Sequence, residues 1–259
     1  MAGFRTSCNG VAPLTGTTYL EAEGFCPICQ RDAHFRAEQQ WLRDFFFCDR
    51  CGSIPRERAF FSVIEMLHPN WRELQIHETS PMMRAASLKL KTECPGYTYS
   101  YYNDRVVPGS THPEKGYRCE NIERMTFGTE SFDLFLSQDV FEHIFHPDRA
   151  IGEIARVLKP RGAYIMTVPI VMKSASSHRR ARIGANGNIV HLKDAQFHGN
   201  PIDDGGSLVT IDWGYDILSY LSFHSSLQSS MIYIDDLSRG IRAEFIDVVV
   251  CTKGASPAL

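Results

Sequence analysis

The spacing of apolar positions changes several times along this chain, and each change marks an element. Residues 1–24 show no clear periodicity and read as loop or an arm. PRERAFFSVIEML, residues 55–67, places Phe60, Phe61, Ile64 and Leu67 on one helical face, and His68-Pro69-Asn70 ends it. Strand-like and helix-like stretches then alternate. ELQIHE (73–78) predicts a strand, MMRAASLKLK (82–91) a helix, YTYSYY (97–102) and SFDLFLSQ (131–138) strands. HPDRAIGEIARVL (146–158) predicts a helix stopped by Lys159-Pro160-Arg161-Gly162, and AYIMTVPIV (163–171) an apolar strand. Residues 172–212 are polar and loop-rich. WGYDILSYLSFH (213–224) then predicts a helix, SSMIYID (229–235) a strand and RAEFIDVVVCTK (242–253) a last strand. Such alternation implies an α/β fold, a mostly parallel sheet with helices on both faces.

The chain has 259 residues, room for one large domain with a small appendage. The expected division is 1–70 (arm, ribbon and helix) and 71–259 (main domain), with 172–212 as a covering insertion. At 43% apolar residues a real core can form, and a net charge of −3 gives no strong pull toward a polyanion. Arg179, Arg180 and Arg182 form the longest basic cluster and read first as a solvated loop, with a phosphate site as the alternative. MAGFRTSCNGVAPLTG lacks the apolar run of a secretion signal, and no stretch approaches a membrane span, so the expectation is a soluble cytoplasmic protein without membrane partners.

Four of the eight cysteines form two close pairs, Cys26/Cys29 and Cys48/Cys51, while Cys8, Cys94, Cys119 and Cys251 are scattered. C-x2-C, a gap of eighteen residues, and C-x2-C is the spacing of a zinc ribbon. Four thiolates close a tetrahedral site with no open position, so the zinc is expected to be structural. Gly52 follows the second pair, where a knuckle can turn with positive φ. Residues 1–70 hold seven arginines, no lysine and eight acidic residues, which is no phosphate-binding surface. Trp41 and Phe45 to Phe47 form a small core around the metal, or else stack on bases.

NIERMTFGTESFD (121–133), LFLSQDVFEHI (134–144) and EIARVLKPRGA (153–163) are more specific. This run, over residues 119–170, closely resembles the class I S-adenosylmethionine-dependent methyltransferases of the type 11 kind. The resemblance implies a doubly wound, Rossmann-like sheet of seven strands, here with an N-terminal four-cysteine zinc ribbon. It also sets the register of the cofactor loop. Ile76-His77-Glu78-Thr79-Ser80-Pro81-Met82 stands where the family reads apolar-x-E-x-G-P-G, with Ser and Met replacing both glycines. The resemblance implies that Glu78 helps hold the amino-acid end of S-adenosylmethionine and that the backbone at Thr79 and Ser80 approaches the methionine. Asp104 is the candidate for the ribose hydroxyls, Asn121 for the adenine amino group and Ile122 for the ring. Gln138, Asp139 and Val140 follow the fourth strand, at the edge where doubly wound folds bind ligands. Asp139 also reads as the N-cap of VFEHIF. Glu142 and His143 recur in the family pattern, with structural and catalytic roles both open.

Methyl transfer to a hydroxyl needs a base, and histidine titrates in the right range. His198, within the covering insertion, is the first candidate and His143 the second. The stretch GSLVTIDWGYDIL is similar to a subset of zinc-ribbon-bearing bacterial methyltransferases. The expected reaction is S-adenosylmethionine-dependent methylation of an oxygen or nitrogen of a small molecule or saccharide, with a homo-oligomer compatible. The alternatives are an RNA base methyltransferase that grips RNA with its ribbon, against which the charge stands, and a catalytically inactive zinc-stapled interaction domain.

Overall fold

The computed structural model describes residues 18–202 and 204–255; Cys8 and the rest of the first seventeen residues lie outside them. Three antiparallel strands open the described chain: β1 Leu20–Cys26, β2 Arg31–Ala37 and β3 Phe47–Cys48. The expectation of loop up to residue 24 is thus corrected. β1 alternates half-buried and exposed positions with a period of two, and a strand with one covered face needs no stronger apolar signal. A short helix, α1 Leu42–Phe45, leads into β3.

Helix α2, Pro55–Leu67, confirms the 3.6-residue pattern. Pro55 opens it, and Glu57 accepts the N–H of Ile54 at 3.0 Å, so its first orphan donors are answered. Phe60, Phe61, Val63 and Ile64 are completely buried, whereas Leu67 at the frayed end is exposed. Each of those four contributes about 1.5–3 kcal/mol of burial free energy.

The main sheet has seven strands. The first five in chain order are β4 Ile76–Thr79, β5 Tyr97–Tyr101, β6 Arg118–Cys119, β7 Phe132–Gln138 and β8 Leu158–Thr167. The last two are β9 Leu227–Ile232 and β10 Val248–Lys253. Their spatial order is β9-β10-β8-β7-β4-β5-β6. β4 to β8 pair in parallel, and β10 runs antiparallel to both neighbours. This is a doubly wound, Rossmann-like sheet of seven strands. Helices α2 and α3 (Ala85–Glu93) share one apolar core with Leu134, Leu136, Ile165 and Val250. Helices α4 (Pro147–Val157) and α5 (Ile217–Phe223) share a second core, on the other face, with Phe135, Tyr164 and Val249. Residues 105–118 form no helix, as their prolines and glycines suggest.

The first core also contains Cys26, Ile28, Phe35 and Phe46, so the ribbon and α2 are continuous with the main domain. Two glycines allow the docking. A Cβ on Gly24 would stand 1.8 Å from the carbonyl oxygen of Ser238, and one on Gly240 would enter the Phe35 ring.

Two other expectations change. Residues 172–212 hold short paired segments, among them Ala181–Ile183 with Ile189–His191 and Phe197–His198 with Ser207–Leu208. Arg179 donates to the Phe145 carbonyl and Arg180 pairs with Asp212, so two of the three clustered arginines tie the insertion down. The helix expected from residue 213 begins at Ile217, because Trp213 and Gly214 belong to a strand, Ile211–Gly214. Trp213, Ile217 and Leu221 face the same core, which is why one periodicity runs through all three.

Candidate active site and metal centre

In a doubly wound sheet the ligand site lies beyond the C-terminal strand ends where the strand order reverses. Here that point is between β4 and β7. A cavity of 1330 Å3 opens there. Its walls include Thr79, Ser80, Asp104, Asn121, Ile122, Gln138, Asp139 and Val140, eight of the nine residues expected at the cofactor. His143 and His198 line it as well, on the side of the insertion.

Glu78 is placed differently. It is fully buried, and its carboxylate accepts from Ser87 Oγ (2.8 Å), Tyr97 Oη (2.7 Å) and Gln138 Nε2 (3.0 Å). Burial pushes its pKa up against those three donors. Ser87 and Gln138 stand at the cavity wall with Glu78 behind them, so this carboxylate orients wall residues.

The loop after β4 keeps a glycine-type backbone without glycine. Ser80, Met83 and Ala85 have φ of 52°, 48° and 41°, in the left-handed region. Each such residue costs about 1–2 kcal/mol, and the neighbours that hold the loop come from elsewhere in the fold. Tyr101 Oη donates to the Pro81 carbonyl at 2.8 Å, and Arg84 reaches the Gly52 carbonyl of the ribbon and Glu57 of α2.

Asp139 also has positive φ, 52°. It caps no helix; the turn at Phe141–His143 starts after Val140 without a side-chain cap. Its carboxylate pairs with Arg43 at 2.7 Å and Arg56 at 2.9 Å and accepts from Thr167 Oγ1 at 3.1 Å. Burial pushes this carboxyl up, but the two guanidinium groups outweigh burial and hold it down to about 2. Arg43 and Arg56 belong to the ribbon segment and to α2, so the appendage forms one wall of the cavity. Sequence reasoning missed them, because nothing local ties an arginine to a carboxylate ninety-six residues away.

At the sheet edge, Asn121 Oδ1 accepts the N–H of Glu123 at 2.9 Å, which fixes the amide and leaves a second lone pair on that oxygen. Ile122 is buried beside it. Asp104 is exposed at the tip beyond β5.

The histidines converge. His143 and His198 cross edge to face with ring centroids 5.1 Å apart. Glu142 lies between them, with Oε1 3.7 Å from His143 Nε2 and 3.4 Å from His198 Nδ1. The adjacent Glu142-His143 was the sequence signal for this cluster; the arrival of His198 depends on the insertion.

The four ribbon cysteines also converge. Cys26 Sγ is 3.7 Å from Cys51 Sγ, and Cys29 Sγ is 3.9 Å from Cys48 Sγ. Sulfurs at about 2.3 Å from one tetrahedral ion stand roughly 3.8 Å apart, so the set fits zinc. Both knuckles turn through a left-handed residue, Gln30 and Gly52. Thiol donors Cys48 and Cys51 drive the Cys26 pKa down, while burial and the Cys26 charge push Cys29 up. Without a cation these sulfurs cannot all be thiolates. Arg58, fully buried, adds positive charge behind them and stacks 4.8 Å from the Phe35 ring centroid.

Residues 83–166 match the methyltransferase-domain family. That match covers α3, the strands β5 to β7 and most of β8, the stretch that carries Asn121 and Gln138. A ubiquinone biosynthesis O-methyltransferase of Bradyrhizobium sp. (strain ORS 278) is 35% identical over 85 residues, 31% of this chain and 32% of that protein. One of the same description from Parvibaculum lavamentivorans is 30% identical over 69 residues, 27% of this chain and 26% of that protein. The chain thus spans about a third or less of the length of these curated relatives. Among solved structures, an S-adenosylmethionine-dependent methyltransferase from Mesorhizobium loti superposes with a TM-score of 0.46 at 14% identity, covering 75% of this chain and 98% of that one. A counterpart from Methanosarcina mazei gives 0.42 at 14%, covering 74% and 98%. The methyltransferase-domain match ends at β8; the ribbon, the insertion and the last two strands lie outside it.

Proposed function

We propose that this protein transfers the methyl group of S-adenosylmethionine to an oxygen atom of a small-molecule or saccharide acceptor, with a structural zinc ion in its N-terminal ribbon. The observation that carries the reading is one cavity at the strand-order switch point of a class I methyltransferase sheet, shared by the cofactor-side residues and by a Glu-His-His cluster. The methyltransferase-domain match supports the cofactor, and the O-methyltransferase description of the partial relatives supports oxygen over nitrogen.

Bound S-adenosylmethionine would supply a methyl carbon already activated by its sulfonium. The chain's own tasks are then to hold, align and dry the site. Asn121 and Ile122 would hold the adenine, Asp104 the ribose, and the backbone at Thr79 and Ser80 with Gln138 the methionine end. Asp139, locked by Arg43 and Arg56, sets the position of Val140 and of the turn that follows. The insertion closes the acceptor side. His198 and His143, oriented by Glu142, are the groups that can take a hydroxyl proton there.

The ribbon is read as a staple. Arg43, Arg56 and Arg58 face inward to partners within the fold, and Arg36 and Arg50 pair with Glu21 and Asp49, which leaves few free cations on this segment for phosphates. Among the described residues no helix is long and apolar enough to cross a membrane.

Calorimetric titration of the zinc-loaded protein with S-adenosylhomocysteine tests the reading. Micromolar binding, weakened about tenfold by Asn121→Ala for one lost hydrogen bond, is expected. A folded protein that binds no ligand at millimolar concentration would overturn the methyltransferase reading and leave a zinc-stapled interaction domain.

A further inference from the structure

Glu142 is 2% exposed, and neither carboxylate oxygen has a hydrogen-bond partner among the described residues. A buried ionised carboxylate left this way is expensive unless a positive charge answers it. The neighbouring ring does not do so while neutral. His143 Nδ1 lies 2.9 Å from the Leu208 carbonyl oxygen, which can only accept, so Nδ1 carries the hydrogen. His143 Nε2 then presents a lone pair, and it faces Glu142 Oε1 at 3.7 Å. Lone pair against carboxylate is repulsive with nothing between them.

One hairpin supplies the third group. Phe197–His198 pairs with Ser207–Leu208, so the same two strands bring His198 and the carbonyl that orients His143. One ligand atom from each of Glu142, His143 and His198 falls within 4.8 Å of the others. Donors at about 2.1 Å from one ion stand roughly 3–3.5 Å apart, close to the 3.4 Å and 3.7 Å seen from Glu142 Oε1. A ligating histidine typically donates its other ring N–H to a backbone carbonyl, as His143 does to Leu208.

We infer that Glu142, His143 and His198 form a second metal site, separate from the ribbon, that takes a divalent transition-metal ion such as Mn2+, Fe2+, Co2+ or Zn2+. Two imidazoles and one carboxylate suit these ions and leave coordination positions open. Asp139 is no part of the site, being held by Arg43 and Arg56.

The use of the ion rests on the methyl-transfer reading above. An acceptor hydroxyl on the open position loses its proton to solvent. Its oxygen then forms the bond to the methyl carbon as the carbon–sulfur bond breaks. Both electrons of that bond stay on sulfur, and S-adenosylhomocysteine leaves as a neutral thioether. With the ion bound, His198 is a ligand and not the base.

Mn2+ is the probe, because it competes poorly with zinc for thiolates. Protein carrying one zinc ion per chain, which the four thiolates take in preference, is titrated with Mn2+ and the free-ion electron paramagnetic resonance signal is followed. One Mn2+ per chain is expected, with Glu142→Gln and His198→Asn each weakening it tenfold or more and the exposed His191→Asn leaving it unchanged. His198 sits on a surface hairpin, so its variant keeps the test open should Glu142→Gln not fold. No Mn2+ bound at millimolar concentration, or binding that neither substitution moves, overturns the site. The same samples are titrated with S-adenosylhomocysteine. Mn2+ binding without it supports the site while sinking the methyl-transfer reading, and the converse overturns the site alone.

Discussion

Arg58 is the joint on which ribbon, α2 and the C-terminal segment meet, and its replacement should be the most damaging single change in the appendage. The guanidinium is fully buried. It donates from Nε (3.0 Å) and Nη2 (2.6 Å) to the Gly240 carbonyl, from Nη2 to the Phe46 carbonyl at 2.8 Å, and from Nη1 to the Ser53 carbonyl and to Ser53 Oγ at 3.1 Å. Burial pulls its pKa down to about 10, so it remains a cation at neutral pH. Arg58→Met removes the desolvation penalty of that cation but strands the buried carbonyls of Phe46 and Gly240, while that of Ser53 keeps the N–H of Cys48 at 3.0 Å. Backbone acceptors cannot be redesigned away, and each unsatisfied one costs about 1–3 kcal/mol. A net loss of about 3–5 kcal/mol follows. For a chain of this size that lowers Tm by roughly 8–15 °C. Arg58→Lys separates charge from geometry. A lysine keeps the positive charge near the thiolates but reaches one carbonyl at a time, so it should recover less than half the loss. The assay is differential scanning calorimetry together with zinc release followed by a chromogenic chelator. A fall in Tm below about 3 °C for the methionine variant would refute the estimate. Full rescue by lysine would show that charge balance, not the forked hydrogen bonding, is what Arg58 supplies.

Three other outcomes follow from the same structure. His77 is buried between Thr98 Oγ1 (2.9 Å) and Ser100 Oγ (3.0 Å), and burial, with Arg118 nearby, lowers its pKa to about 3. The unfolded chain binds a proton there below about pH 6.5 and the folded chain does not, so stability should decline as pH falls from about 6.5 to 3, by up to about 4–5 kcal/mol; denaturant melts against pH check this, and a His77→Gln variant with a clearly shallower decline over that window is the expected control. Asp139, held at about 2, contributes stability above about pH 4 that is lost as pH falls through 2. The stability gap between wild type and Asp139→Asn, about 2–3 kcal/mol at pH 6, should close by pH 2 in the same melts, and a gap independent of pH would refute the arginine clamp. Removal of zinc by a strong chelator should weaken S-adenosylhomocysteine binding at least tenfold in calorimetry, since Arg43 and Arg56 lose their support and Asp139 its partners. Unchanged affinity in the apo-protein would show that the appendage does not shape the cavity.

The sequence by itself determined the layers of the fold and half of the chemistry. Alternating strand and helix patterns located α2 to α4 and β4, β5, β7 and β8 closely, because each buries a continuous stripe against the sheet and periodicity records burial. The cysteine spacing located four sulfurs that converge, since a knuckle is a local turn. The run from Asn121 to Gly162 pointed to Asn121, Gln138 and Val140, which the structure places on one cavity wall. Weak spots lay where burial is one-sided or brief: β1, the paired segments of 172–212, and the strand ending at Gly214. Tertiary structure alone decided the rest. It drew Glu78 behind the cavity wall, because three donors from α3, β5 and β7 are needed to hold a carboxylate out of water there. It carried Arg43 and Arg56 across the chain to Asp139, and it joined His198 to Glu142 and His143 through a hairpin. Long-range pairing of charges depends on which surfaces come together, and that information is spread over every residue of both surfaces rather than written at the positions that meet.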